Sequence, residues 1–124
     1  MPTSGRTRVP AGATVIPGSN LSGSWHWGSD SSPLLMYQEG DTLTFVFHSS
    51  DGHAYLFMGQ YTAPNSVRGR LVLRQANGCT RVHTYTLALV NANALVGEYV
   101  VTSDDCAPAM VGGRGGGQPF ARTR

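Results

Sequence analysis

The 124-residue chain contains no lysine: all nine basic residues are arginine, and seven acids bring the formal charge to only +2. So small a surplus gives no ground for a nucleic-acid partner. No run approaches the roughly 18 consecutive apolar residues of a membrane-spanning helix, which excludes a span of that kind. Residues 1–18 carry arginines but lack the apolar core of a signal peptide, so an export signal, if the protein has one, is expected to lie outside this sequence. Helical periodicity is also missing: no window of about 11 residues repeats apolar positions at i, i+3, i+4 and i+7. Charged residues make up 13% against 40% hydrophobic, which excludes a disordered chain. The Gly-Gly-Arg-Gly-Gly-Gly-Gln run at 112–118 lacks the Gly-Lys-Ser/Thr ending of a phosphate-binding loop, reads as a flexible loop, and implies no nucleotide; no cofactor is expected.

What is present is a series of short β-branched and aromatic runs separated by Gly, Asn, Asp and Pro clusters. That is the pattern of an antiparallel all-β domain. Eight strands are expected: Leu21 to Trp27, Leu34 to Gln38, Thr42 to His48, His53 to Tyr61, Val67 to Gln75, Thr80 to Val90, Leu95 to Ser103 and Pro119 to Arg122. Residues 1–18 read as a Pro/Gly-rich arm and 19–124 as one domain, since a chain of this size builds a single core. Consecutive short turns give an up-and-down meander, and eight strands are enough to close a small barrel without free edges. A β-sandwich is the alternative.

The ends of the chain carry a resemblance. Gly23-Ser24-Trp25 lies on the first strand, and Phe120 and Arg122 lie on the last. This resembles the calycin superfamily of lipocalins and avidin-like proteins, in which a first-strand Gly-x-Trp packs beneath a last-strand arginine and seals one end of the barrel. The resemblance implies a small apolar molecule in a cavity lined by Trp25, Phe45, Phe47, Leu56, Met58 and Tyr99. Biotin is disfavoured, because Trp27 stands where avidin-like proteins place a ligand-binding Asn and no later Trp occurs. A small barrel can equally fill its interior with its own side chains.

Cysteine pairing follows from a hairpin. If 80–90 and 95–103 pair around the loop Asn91 to Ala94, Val90 faces Leu95, and the same register brings Cys79 opposite Cys106. Their Cα atoms would then lie about 4.5–5.5 Å apart, which suits a disulfide. A structural disulfide implies an oxidising setting: secreted, periplasmic or on a particle surface. Two buried thiols are the alternative.

With Ser49 to Gly52 as a loop, His48 would oppose His53, and Leu43, Phe45, Phe47, Ala54, Leu56 and Met58 would form one inward apolar face. The two histidines then sit together outside. They are at most half a metal site, and rim polar residues are the plainer reading, so no metal is assigned. No nucleophile, base and acid combine into a catalytic constellation, although barrels of this kind can host cyclases that work by shape. On 80–90 and 95–103 both faces read as largely apolar, so the outer one is expected to be covered by another subunit, making a homo-oligomer, or by the arm. An Asn77-Gly78 turn would set Arg74 opposite Arg81 and Arg70 beside Tyr85, where an anion would relieve the repulsion between like charges; a solvated surface is the alternative. The expected function is thus a non-enzymatic extracytoplasmic binding protein for a small apolar molecule or another protein, with a structural subunit as the second reading and a barrel enzyme as the third.

Overall fold

The computed structural model describes residues 20–123, so the N-terminal arm lies outside the described residues. Eight strands follow in order: β1 Gly23–Trp27, β2 Asp30–Glu39, β3 Thr42–His48, β4 Ala54–Ala63, β5 Ser66–Arg74, β6 Thr80–Asn91, β7 Ala94–Asp104 and β8 Arg114–Arg122, with a 3-10 turn at Pro108–Met110. Each pairs antiparallel with the next, and β8 returns to β1 to close a barrel. No described helix is long and apolar enough to cross a membrane.

Alternation puts one large side chain in two inside. Trp25, Leu34, Leu43, Phe45, Phe57, Leu87, Leu95 and Phe120 are fully buried, and burial of such side chains stabilises by about 1.5–3 kcal/mol each. One end of the barrel is sealed. Leu21 folds into it, and the Trp25 indole N–H donates to the Leu21 carbonyl at 2.8 Å. Arg122 lies over the Trp25 ring at 4.7 Å and donates to the carbonyls of Ser22 (2.9 Å), Asn20 (2.8 Å) and Ala92 (3.0 Å), and to Asn93 Oδ1 (3.1 Å). One guanidinium thereby ties both ends of the barrel sheet and the β6–β7 turn together.

Turn chemistry corrects the expected register. The β3–β4 loop has three residues, Ser50-Asp51-Gly52, because Ser49 N–H bonds the His53 carbonyl at 2.8 Å and Gly52 adopts φ +92°. A three-residue loop closing on a left-handed glycine shifts the pairing by one residue. Phe45 therefore faces Phe57 and Phe47 faces Tyr55, while Leu56 and Met58 point outward at 42% and 57% exposure. The β5–β6 loop repeats the device with Gly78 at φ +90°, pairing Leu73 with Arg81 and Arg74 with Thr80.

Between β6 and β7 the slip is reversed. The loop has two residues, Ala92-Asn93, and one bulge beside it pairs Leu89 with Leu95; a second bulge at Val82/His83 restores the expected pairing at the far end, where Arg81 faces Asp104. Cys79 and Cys106 form the disulfide, with Cα atoms 5.8 Å apart. The two-sided apolar character expected of this hairpin holds only in part: Tyr85, Leu87, Leu89 and Leu95 all face inward, and the outer face mixes Thr84, Thr86, Glu98 and Thr102 with Ala88, Val90, Val96 and Val100. Most of the exposed large apolar residues gather on β2–β4, where Leu35, Val46 and Leu56 lie side by side across three strands and Tyr37 and Met58 belong to the next row.

The glycine run is mostly strand rather than loop, since β8 begins at Arg114. A Cβ at Gly115 would collide with the Tyr99 ring, and one at Gly97 with the Tyr85 ring. The two glycines let the tyrosines lie flat against the wall.

Arg122→Ala is expected to lower unfolding free energy by about 2–3 kcal/mol, and Arg122→Lys to recover less than half, because a point charge cannot hold four acceptors in a planar fork. Urea denaturation of both variants measures this; an Arg122→Lys protein as stable as the parent would contradict the seal.

Candidate binding site at the open mouth

The opposite end is open, and its four connections are tied together around the rim. Asp30 Oδ2 accepts from Ser50 N–H and Oγ–H, both at 3.0 Å, and Oδ1 accepts from Ser32 N–H, linking the β1–β2 and β3–β4 turns. His53 Nδ1 accepts from Ala76 N–H at 2.9 Å, linking β3–β4 to β5–β6. The disulfide and the Thr80 N–H bond to Asp105 carry the link to β7–β8. Gly28 N–H bonds the Pro119 carbonyl at 2.8 Å and completes the ring. A rim fixed in this way is preorganised, so little ordering cost falls on a ligand.

Inside the rim two adjoining open hollows of about 270 Å³ each share Trp27, Tyr55 and Gln118. Trp27 forms the floor. It stacks on Phe120 at 4.9 Å and meets Tyr55 at 4.9 Å and Phe47 at 5.3 Å edge to face. The first hollow adds Asp30 and Asp51; the second adds Leu71, Leu73, Arg81, His83, Tyr85 and Tyr99.

Charge at the mouth is unevenly compensated. Arg81 Nε donates to Asp104 at 2.5 Å, and Asp104 also accepts from Cys106 and Ala107 N–H. Those bonds, Arg81's first, hold its carboxyl below the usual range. Asp30 is held down from 3.8 to about 2, chiefly by the Ser50 and then the Ser32 backbone N–H. Burial raises the Tyr55 and Tyr85 hydroxyls above their usual range.

His83 is the unusual group. It is 5% exposed, lines the second hollow, and its Nδ1 is buried with no hydrogen-bond partner among the described residues. Burial, and after it the Arg81 charge, lowers its pKa, so the ring is neutral at pH 7. The Leu71 backbone acts in the opposite direction and raises it. A buried ring nitrogen without a partner carries a cost that a hydrogen-bonding group beside it would remove.

Of the six residues implied for a cavity, Phe47 and Tyr99 line the mouth, Trp25 and Phe45 are packed in the sealed half, and Leu56 and Met58 lie on the outer wall. The proposed arginine cluster is dispersed: Arg70 and Arg74 point outward, and Arg81 points inward to Asp104. His48 and His53 do not form a facing pair, since His48 opposes Ala54 and His53 is committed to Ala76. Sequence reasoning missed Trp27, Tyr55, His83 and Tyr85 as site residues. The signal was available in Asp51-Gly52 and Asn77-Gly78, which close three-residue loops as readily as two-residue ones.

Asp30 is depressed in the folded state, so its contribution to stability is present above its ordinary value of 3.8 and is lost as the pH falls toward 2. Asp30→Asn should therefore lower Tm at pH 7, with the difference from the parent closing as the pH falls to about 2. Thermal melts of both proteins across that range read it out; a pH-independent difference would contradict the ionised rim carboxylate.

Comparison with family models, curated proteins and solved structures finds no match to the chain.

Proposed function

We propose that the protein is a non-enzymatic binding protein that takes a small, flat, largely apolar molecule in its open mouth. The observation that carries this reading is a pair of open hollows floored and walled by aromatic rings and lined by His83, whose buried Nδ1 has no hydrogen-bond partner among the described residues. A buried polar atom without a partner costs about 1–3 kcal/mol; with Nδ1 as the acceptor of the neutral ring, a ligand N–H or O–H removes that cost. The rings supply the apolar contact, and the tied rim supplies preorganisation. The seal of Trp25 by Arg122 supports kinship with the calycins, with Trp27 moving the binding place outward to the mouth. The Cys79–Cys106 disulfide is compatible with an oxidising compartment and supports a secreted, periplasmic or particle-surface location.

A second reading, self-association into a homo-oligomer, rests on a different observation. The register-aligned row Leu35, Val46 and Leu56, with Tyr37 and Met58 beside it, is an apolar outer face. Two copies packed face to face through β2–β4 would bury it. A mass that falls to the monomer in Leu56→Glu would support it; a concentration-independent monomeric mass for the parent would remove it.

Indole is a suitable probe of the first reading, because it is flat and carries one N–H. Amide chemical shifts in an NMR titration should move saturably around Trp27, Tyr55 and His83. 1-Methylindole should bind about three- to tenfold more weakly, the worth of one hydrogen bond. His83→Phe should erase that preference. Absence of saturable shifts with either probe would overturn the proposal.

A further inference from the structure

We infer that the mouth selects organic cations: molecules with a flat apolar body and a pendant ammonium group. The inference rests on the binding reading above and specifies its ligand. The hollow walled by Trp27, Phe47 and Tyr55 is bordered by Asp30 and Asp51, and among the described residues no arginine or histidine lines it. A cation there meets ring faces and carboxylates together, the combination that attracts an ammonium most strongly. The neighbouring positive charge is offset in part, because Arg81 is paired with Asp104 at 2.5 Å. Arg70 and Arg74, one residue out of the expected register, face outside. Both rim carboxylates are fixed in place: Asp30 by three hydrogen bonds, and Asp51 by the Ser49 hydroxyl with His53 Nε2 at 3.6 Å.

A second observation, independent of charge, points into the same mouth. His83 lines the adjoining hollow that shares Trp27 and Tyr55, and its buried Nδ1 has no hydrogen-bond partner among the described residues. A ligand laid across the Trp27 floor reaches both hollows, with a ring N–H or O–H toward His83 and its ammonium toward the Asp30–Asp51 side. An anion of the same shape meets two carboxylates, and a neutral analogue gains nothing from them; the site therefore discriminates by repulsion as well as attraction. At the Tyr55 hydroxyl, after burial, Asp51 raises the pKa more than Arg81 lowers it, and Asp30 adds to the rise.

Three probes sharing one indole body separate the terms: tryptamine with an ammonium, 3-ethylindole with no charge, and indole-3-propionate with a carboxylate. By isothermal titration calorimetry at pH 7 and low salt, tryptamine should bind about tenfold tighter than 3-ethylindole, the scale of a partly desolvated cation–π contact reinforced by carboxylates. Indole-3-propionate should bind weakest. In Asp51→Asn, whose parent side chain is 69% exposed and so makes little demand on folding, the tryptamine to 3-ethylindole ratio should fall toward one. Asp30→Asn provides the second variant and should lower the same ratio. Equal affinities for tryptamine and 3-ethylindole, or a ratio unchanged in both variants, would overturn cation selection while leaving the binding reading in place. If none of the three binds, the binding reading itself fails.

Discussion

Closure of the sheet between β1 and β8 holds the whole barrel in place. The seam is short, with Trp25 opposite Arg122, His26 opposite Ala121 and Trp27 opposite Phe120. Those pairs define the two ends of the molecule. At Trp25 the seam is locked by the guanidinium of Arg122, which makes that half of the interior a filled core. At Trp27, two residues further and on the same face, the ring lies on Phe120 and becomes a floor. Beyond the floor the interior opens. The same alternation that builds the seal thus sets the depth of the mouth.

Glycine makes the mouth wide enough to use. A tyrosine projecting straight inward from β6 or β7 would fill the space above Trp27. Instead the Tyr85 ring lies over Gly97 and the Tyr99 ring over Gly115, positions where any Cβ would collide with it. Flat rings leave space above the floor, with the Tyr85 and Tyr99 hydroxyls lying against the two glycines. His83 packs against Tyr99 at 4.6 Å, and its buried Nδ1 has no partner among the described residues. Packing and function are therefore coupled through backbone positions that carry no side chain.

The fold was legible in the sequence where period-two alternation and turn residues agree. All eight strands and the barrel are present, and the disulfide pairs as the hairpin register predicts. The site was less legible, because interior and exterior exchange on a one-residue slip. Reading Ser49-Ser50-Asp51-Gly52 as a four-residue loop sent Leu56 and Met58 inside and Tyr55 and Phe57 outside; Gly52 closes a three-residue loop and reverses all four. The same misreading of Asn77-Gly78 grouped Arg74 with Arg81. β8 was placed too late because glycine has low strand propensity, and only the positions of Tyr85 and Tyr99 explain why glycine is required there. The disulfide survived because two bulges between β6 and β7 cancel, something no periodicity reveals.

The barrel has one sealed and one open end, and each end carries one of the two tryptophans. Acrylamide quenching of fluorescence in the single-tryptophan variants Trp25→Phe and Trp27→Phe distinguishes the ends. Trp27, alone in Trp25→Phe, should be quenched several-fold more steeply than Trp25, alone in Trp27→Phe. Equal quenching of the two, or a more accessible Trp25, would contradict a mouth at Trp27 and a seal at Arg122.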